Sequence, residues 1–387
     1  MKPSQTKLTY INEIDMQQAD RWYVIENTDI IDSPALVVYP ERMKENIRLL
    51  KSMIDDPDRL RPHVKTHKSK EVTRLMLEAG IQKFKCATIA EAEMLAMCEA
   101  PDVLLAYQPV GPKLMRLVSL IKQYPVTQFS CLTDNSEVAT QMAEVARENS
   151  LVISVYIDLN VGMNRTGIVP GSAAMALYEH CLQLNGIQLL GLHVYDGHIH
   201  EINFEKRTQE YQASFAPVEQ MVQELKEKFS IAPQIIAGGS PTFPMHAKRP
   251  AVQCSPGTFI YWDKGYQDSI PEQHFLPAAL LLTRVISFPD KTKICLDLGH
   301  KAVSAENPLH YRVFFLNAPD LEVISQSEEH LVVEASAPHN LKIGDILYGL
   351  PYHICPTCNL YDSVTAIEEG AVTGSWKVIA RDRKISI

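Results

Sequence analysis

Short apolar runs alternate with amphipathic ones along the first two-thirds of the chain. Ala35–Tyr39 reads as a buried strand, and Pro40–Met53 as a helix with Met43, Ile47, Leu50 and Met53 on one face. The pairing recurs. Leu60–Val64 precedes a helical Ser69–Ala79, Phe84–Ala87 precedes Ile89–Cys98, and Val103–Tyr107 precedes Lys113–Gln123. Gln128–Leu132 precedes a helix capped near Asp134 or Ser136. Val152–Ile157 precedes Gly171–Leu184, Ile187–Val194 precedes Ile202–Phe229, and Gln234–Ala237 precedes a Gly-Gly-Ser turn. Seven or eight such units predict a closed parallel barrel of the (β/α)8 TIM type. A doubly wound open sheet is the alternative, but no Gly-x-Gly-x-x-Gly turn follows the first strand.

Beyond about residue 275 the period shortens. Ala279–Ser287, Lys293–Leu298, Tyr311–Phe315, Leu321–Ser325, His330–Glu334 and Asp345–Leu347 read as strands of a mostly antiparallel β domain. The expected division is a barrel over residues 30–275 and a β domain over 276–387, joined by residues 1–29. The first 33 residues are polar and aperiodic, with one candidate strand at Trp22–Ile25.

Composition narrows the function classes. The chain has 387 residues, 46% hydrophobic and 21% charged, with a formal net charge of −9. No long basic run is present, which speaks against nucleic acid as a partner. No apolar run reaches the ~18 residues of a membrane span, and the N-terminus carries no apolar secretory core. The eight cysteines follow no disulfide framework, the pattern of buried thiols in a reducing cytoplasm.

Candidate chemistry gathers where barrel strands end. Arg61-Pro62-His63-Val64-Lys65-Thr66-His67-Lys68 puts a lysine at a strand tip between two histidines. A lysine in a partly apolar, cationic setting loses its proton more easily and becomes a nucleophilic amine; a solvated basic loop is the plain alternative. Gly238-Gly239-Ser240-Pro241-Thr242 and Ser255-Pro256-Gly257-Thr258 are donor-rich turns on consecutive late strands, suited to one phosphate held between them or to ordinary turn-making. Arg165 follows the strand Val152–Leu159 and suits a phenolate or carboxylate, or a surface ion pair. Tyr195 stands near His193, His198 and His200, placed to stack on a planar group. Near the C-terminus, Cys355-x-x-Cys358 reads as a redox pair, while His353 and Cys355, two apart on an extended chain, read as ligands of one metal, zinc by chemistry.

Together these segments resemble the metal-activated D-threonine aldolase and D-serine dehydratase family, of the alanine racemase-like fold. The resemblance rests on Pro62-His63-Val64-Lys65-Thr66-His67-Lys68, Ser33-Pro34-Ala35-Leu36, Ala87–Glu93 and Gly162-Met163-Asn164-Arg165-Thr166-Gly167. It continues through Gly238–Thr242, Pro256–Phe259, Glu328-Glu329-His330 and His353–Tyr361, from about residue 30 to the end. It implies a pyridoxal-phosphate enzyme with Lys65 as the Schiff-base lysine and Gly239, Ser240, Gly257 and Thr258 around the phosphate. Arg165 would contact the cofactor ring or its phenolic oxygen, and Tyr195 the ring face. His353 and Cys355 would bind a divalent zinc or manganese ion.

The implied activity is lyase chemistry on β-hydroxy D-amino acids such as D-serine, D-threonine or 3-hydroxyaspartate. Dehydration to a 2-oxo acid and ammonia is expected, because cysteine at the second metal position is more typical of the family's dehydratases. Retro-aldol cleavage to glycine and an aldehyde is the alternative, since Gly191–His200 is nearer the aldolases. His193 and His200 stand as further pocket candidates. An amino-acid racemase and a non-enzymatic pyridoxal-phosphate carrier are the competing classes. By analogy with sister folds, a homodimer is expected.

Overall fold

The computed structural model describes residues 21–387. Part of the expected N-terminal contribution to the β domain, residues 1–20, lies outside the described residues.

Seven parallel strands run in sequence order around a barrel: β2 (Lys83–Cys86), β3 (Asp102–Leu105), β4 (Gln128–Thr133), β5 (Ile153–Leu159), β6 (Ile187–Val194), β7 (Gln234–Ala237) and β8 (Val252–Cys254). The segment Leu60–His63 closes the ring between β8 and β2. Arg61 N donates to Cys254 O at 2.8 Å, His63 N to Pro256 O at 3.0 Å, and Lys85 N to Pro62 O at 2.9 Å. The barrel expectation therefore holds, and the open sheet is excluded.

Alternation along each strand sorts the side chains. In β5, Ile153, Val155, Ile157 and Leu159 face the helices and join the main core, while Tyr156 turns inward. Tyr156 meets Leu104, Leu132 and Ile236 in a plug that fills the barrel. Asp158, two residues on, points to the same side above that plug. On β2, Phe84 and Cys86 pack outward, so Lys83 and Lys85 occupy interior positions. Below the plug the barrel is sealed by Arg61, fully buried, whose guanidinium donates to both Asp102 carboxylate oxygens at 2.7 Å.

The second sheet has nine strands. β1 (Ala35–Val38) pairs antiparallel with β9 (Ala279–Ser287) and parallel with β15 (Ser363–Glu368). The strand at Ala35 is thus a member of the β domain and not the first barrel strand; a strand buried on both faces reads the same in either place. β10 (Lys293–Leu296), β12 (Leu321–Gln326) and β13 (Leu331–Ala335) extend one edge, and β16 (Ala371–Lys377) the other. β14 (Ile346–Pro351) pairs with β9 and carries β11 (Val313–Phe315).

Two further readings need correction. Trp22–Ile25 is a turn and coil, not a strand; Tyr23 and Ile25 pack against Leu280, Leu282 and Tyr348 instead. Residues 354–358 are not extended. They form a short helix, Ile354–Cys358, with His353 as its N-cap residue. Pro356 in its first turn is compatible with that start.

Candidate active site

The ring of strand ends opens into a cavity of about 630 Å³. Lys65 reaches it from a single 3-10 turn, Val64–Thr66, that follows the barrel-closing segment. Its backbone N–H donates to His63 Nδ1 at 3.2 Å, which fixes the turn. Lys65 Nζ lies 6.0 Å from the Tyr195 ring centroid, Lys85 Nζ 5.4 Å and Arg165 Cζ 4.9 Å. Three cationic side chains therefore surround one aromatic face.

Below them sits a buried acid–imidazole pair. His193 Nδ1 donates to Asp158 Oδ1 at 2.7 Å, and Thr166 Oγ1 to Asp158 Oδ2 at 2.9 Å. Burial pushes the Asp158 carboxyl up, but these hydrogen bonds and the Lys85 charge outweigh it and hold it below the usual carboxylate range. Burial and the Lys85 charge keep His193 below the ordinary imidazole value, and burial with the Lys65 and Lys85 charges does the same more strongly at His63. Burial, then the neighbouring Lys65, bring Lys85 down to about 7. Both imidazoles are thus neutral at pH 7, and the cavity's positive charge rests on its lysines and Arg165.

The two donor-rich turns stand beside the cavity, against Tyr195 and His63. Gly238 has a φ of +78°, and a Cβ on Gly239 would lie 3.4 Å from Tyr195 Cε2. A Cβ on Gly257 would lie 2.9 Å from the His63 carbonyl oxygen, so that turn is pressed against the Lys65 segment. Ser240, Ser255 and Thr258 are buried there, and Ser255 Oγ has no hydrogen-bond partner among the described residues. Behind the turns, Thr242 Oγ1 donates to Asp196 Oδ1 at 2.8 Å and His246 Nε2 bonds Asp196 Oδ2 at 2.8 Å.

The β domain brings His353 and Cys355 to the turn that carries Lys65. Thr66 Oγ1 and Cys355 Sγ are 3.1 Å apart, and Thr258 Oγ1 is 3.7 Å from the same sulfur. The sulfur is thus wedged between the residue after Lys65 and the second donor-rich turn. Burial raises the Cys355 thiol, but the His353 hydrogen bond and the Lys65 charge outweigh it and bring it below its ordinary value. Burial lowers His353, yet its bond to Cys355 and the nearby Cys355 and Asp263 charges lift it to about 9. Glu306 bonds His353 Nδ1. Buried Asp263, itself raised to about 6 by burial, accepts from Ile354 N and Tyr266 N, both at 3.0 Å, and pins the turn. Among the described residues no group of three or more His, Cys, Asp or Glu side chains is arranged to hold a metal. A nitrogen and a low-lying thiol side by side, the imidazole oriented by a carboxylate, still form a donor pair suited to a divalent ion with open positions.

Of the residues singled out in the sequence, Lys65, Arg165, Tyr195 and His193 line the cavity. Gly239, Ser240, Gly257 and Thr258 lie beside it, Gly239 against Tyr195 and Gly257 against His63, and Cys355 packs against Thr66 and Thr258 with His353 next to it; none of these six lines the cavity itself. His200 is exposed and does not line it. The sequence reading missed Lys85, Asp158 and Asp263. For Lys85 a signal existed: alternation in Lys83-Phe84-Lys85-Cys86 puts a lysine where a barrel interior is normally apolar.

Residues 38–264 match the family described as "Alanine racemase, N-terminal domain", and residues 278–367 match the "Putative serine dehydratase domain". A D-threonine aldolase of Arthrobacter sp. is 26% identical over 361 residues, covering 91% of this chain and 93% of the relative. A D-threo-3-hydroxyaspartate dehydratase of Delftia sp. is 22% identical, covering 90% and 97%. The crystal structure of D-threonine aldolase from Filomicrobium marinum superposes with a TM-score of 0.83 at 24% identity, covering 91% of this chain and 95% of that one, and shares the fold. The first match spans more than half of the residues and includes Lys65, Arg165, Tyr195 and both donor-rich turns. This chain belongs to the alanine racemase N-terminal domain family, a family of pyridoxal-phosphate-dependent enzymes.

Proposed function

We propose that the protein is a pyridoxal-phosphate- and divalent-metal-dependent lyase acting on β-hydroxy D-amino acids. The observation that carries this reading is that the His353–Cys355 pair of the β domain packs against the turn carrying Lys65, through the Thr66–Cys355 contact. The cofactor fits the residues present. Lys65 is the amine that would join it covalently, Arg165 and Tyr195 would hold its ring, and Gly239, Ser240, Gly257 and Thr258 would hold its phosphate. The orphaned, buried Ser255 hydroxyl of the second turn suits an anion there.

When bound, pyridoxal phosphate supplies an electron sink and the metal a Lewis acid for a β-hydroxyl. The chain's own residues do the rest. His353 and Cys355 would hold the metal beside the Lys65 turn. Asp158 keeps His193 oriented, burial and the Lys85 charge keep it neutral, and its buried Nε2 has no hydrogen-bond partner among the described residues. The metal reading gains support from relatives. Solved forms of a D-threo-3-hydroxyaspartate dehydratase include mutants at a histidine and at a cysteine two positions later, the cysteine mutant in a metal-free form. His353 and Cys355 have the same spacing.

Dehydration to a 2-oxo acid and ammonia is the reading for the reaction, with Cys355 as its support. Retro-aldol cleavage is the second reading, favoured by the relatives named D-threonine aldolase and 3-hydroxy-D-aspartate aldolase. The test is a panel of β-hydroxy D- and L-amino acids with zinc or manganese and product identification. Ammonia with a 2-oxo acid, from D-substrates alone and abolished by chelator, is the expected result. Glycine with an aldehyde moves the enzyme to the aldolases, and chelator-resistant interconversion of enantiomers replaces the proposal with a racemase.

A further inference from the structure

Lys85 is the one lysine of the cavity that the reading above does not use. It sits at an interior position of β2, in register with Leu104 of β3, and its side chain lines the cavity beside Lys65. The residue is 3% exposed, and among the described residues its Nζ has no hydrogen-bond partner. Its strand-mate Lys83 faces the same way but donates to Asp58 O at 2.9 Å. A buried, unpaired amine aimed into a cavity is a costly group to keep unless an occupant pairs with it.

The protein's own carboxylates are taken. Asp158 is held by His193 and Thr166, Asp196 by Thr242 and His246, and Asp134 accepts from Gly167 N at 2.8 Å. On the reading above the cofactor's anionic groups would have other partners, its phosphate the donor-rich turns and its phenolic oxygen Arg165. What remains without a cation is the carboxylate of the amino acid.

We propose that Lys85 is a substrate-binding residue whose ammonium pairs with a carboxylate of the bound amino acid. This rests on the lyase reading and deepens it. Lys65, Arg165, His63 and His193 face Lys85, as do the carboxylates of Asp158 and Asp196. With that surrounding, Lys85 gives up its proton near neutrality, and an arriving carboxylate restores it. Binding is therefore coupled to proton uptake and weakens as pH rises above 7.

D-alanine and D-aspartate lack the β-hydroxyl, so neither can be cleaved or dehydrated, and their binding is read from the cofactor's visible band. Titrations from pH 6.5 to 9 compare the cofactor-loaded wild type with Lys85→Met and Lys85→Arg. Lys85→Met is expected to keep the unliganded band and to bind about tenfold or more weakly. Lys85→Arg is expected to bind better than Lys85→Met, with the pH dependence flattened, because guanidinium stays charged. A loss shared by both ligands assigns the α-carboxylate; a loss confined to D-aspartate assigns the side-chain carboxylate. The proposal is overturned if Lys85→Met binds both ligands as the wild type does, including the case in which turnover alone falls, which makes Lys85 a proton-transfer group. A loaded wild type that binds no amino acid overturns the lyase reading and this inference together.

Discussion

The two ends of the barrel are built from the same kinds of residue and leave them in opposite states. At the lower end Arg61 is fully buried, bonded to both oxygens of Asp102 and to Gln253 Oε1 at 2.8 Å, and Lys83 caps a carbonyl. At the upper end Lys85 Nζ, His193 Nε2 and Ser255 Oγ are buried without partners among the described residues. One strand, β2, carries both cases two residues apart. Paired buried charge at one end closes the barrel; unpaired polar groups at the other are held ready for something that is not protein.

The comparison can be broken in several places, starting with the largest effect. Lys65→Ala is expected to remove the visible cofactor band and at least a thousandfold of turnover, since covalent attachment is lost; absorbance and product assays check it. His353→Ala should cost on the order of a hundredfold or more in turnover and abolish its metal dependence, with the cofactor band intact. A variant that keeps full activity in chelator removes the metal from the account.

At the lower end the expected loss is in stability. Arg61→Met leaves Asp102 without its partner and should cost about 3 kcal/mol in urea unfolding, while amino-acid binding by the folded fraction is unchanged. A binding defect without a stability defect would dissolve the distinction between the ends.

Lys85 offers a smaller effect of defined sign. Its folded value, about 7, is below the 10.5 of a free lysine. Below pH 7 both states hold the proton and the cost of burying it is full. Between 7 and 10.5 the unfolded chain holds more protons, so stability rises with pH, by at most roughly 1.4 kcal/mol per pH unit. Unfolding of the cofactor-free protein should show a component of that slope that Lys85→Met removes. The smallest effect is at His200: exposed and outside the cavity, it should change stability by less than about 0.5 kcal/mol on substitution to alanine, with turnover unaffected.

Much of this was legible in the sequence, for identifiable reasons. Strand–helix units announce a barrel because each carries its own period, and the strand-tip position of Lys65 follows from that. What was hidden depends on partners far along the chain. β1 is apolar throughout, so nothing in it distinguishes a barrel strand from a member of the second sheet. Asp263 is an isolated acid until folding sets it under Ile354, 91 positions away. The His353 turn reads as extended because His-x-Cys alternation is equally satisfied there; Pro356, acceptable in a first helical turn, was the overlooked cue. Lys85 was visible in the alternation of β2, but two alternating lysines in a four-residue strand are easily taken for the solvated face of an edge strand.

The account depends most on Lys65 being the residue that carries the cofactor. Borohydride reduction of the loaded protein, proteolysis and mass mapping of the modified peptide test this directly. The predicted result is one pyridoxyl group per chain, on Lys65, and none in Lys65→Ala. A modification on Lys85 in the wild type, or none on any lysine of the cavity, would contradict it.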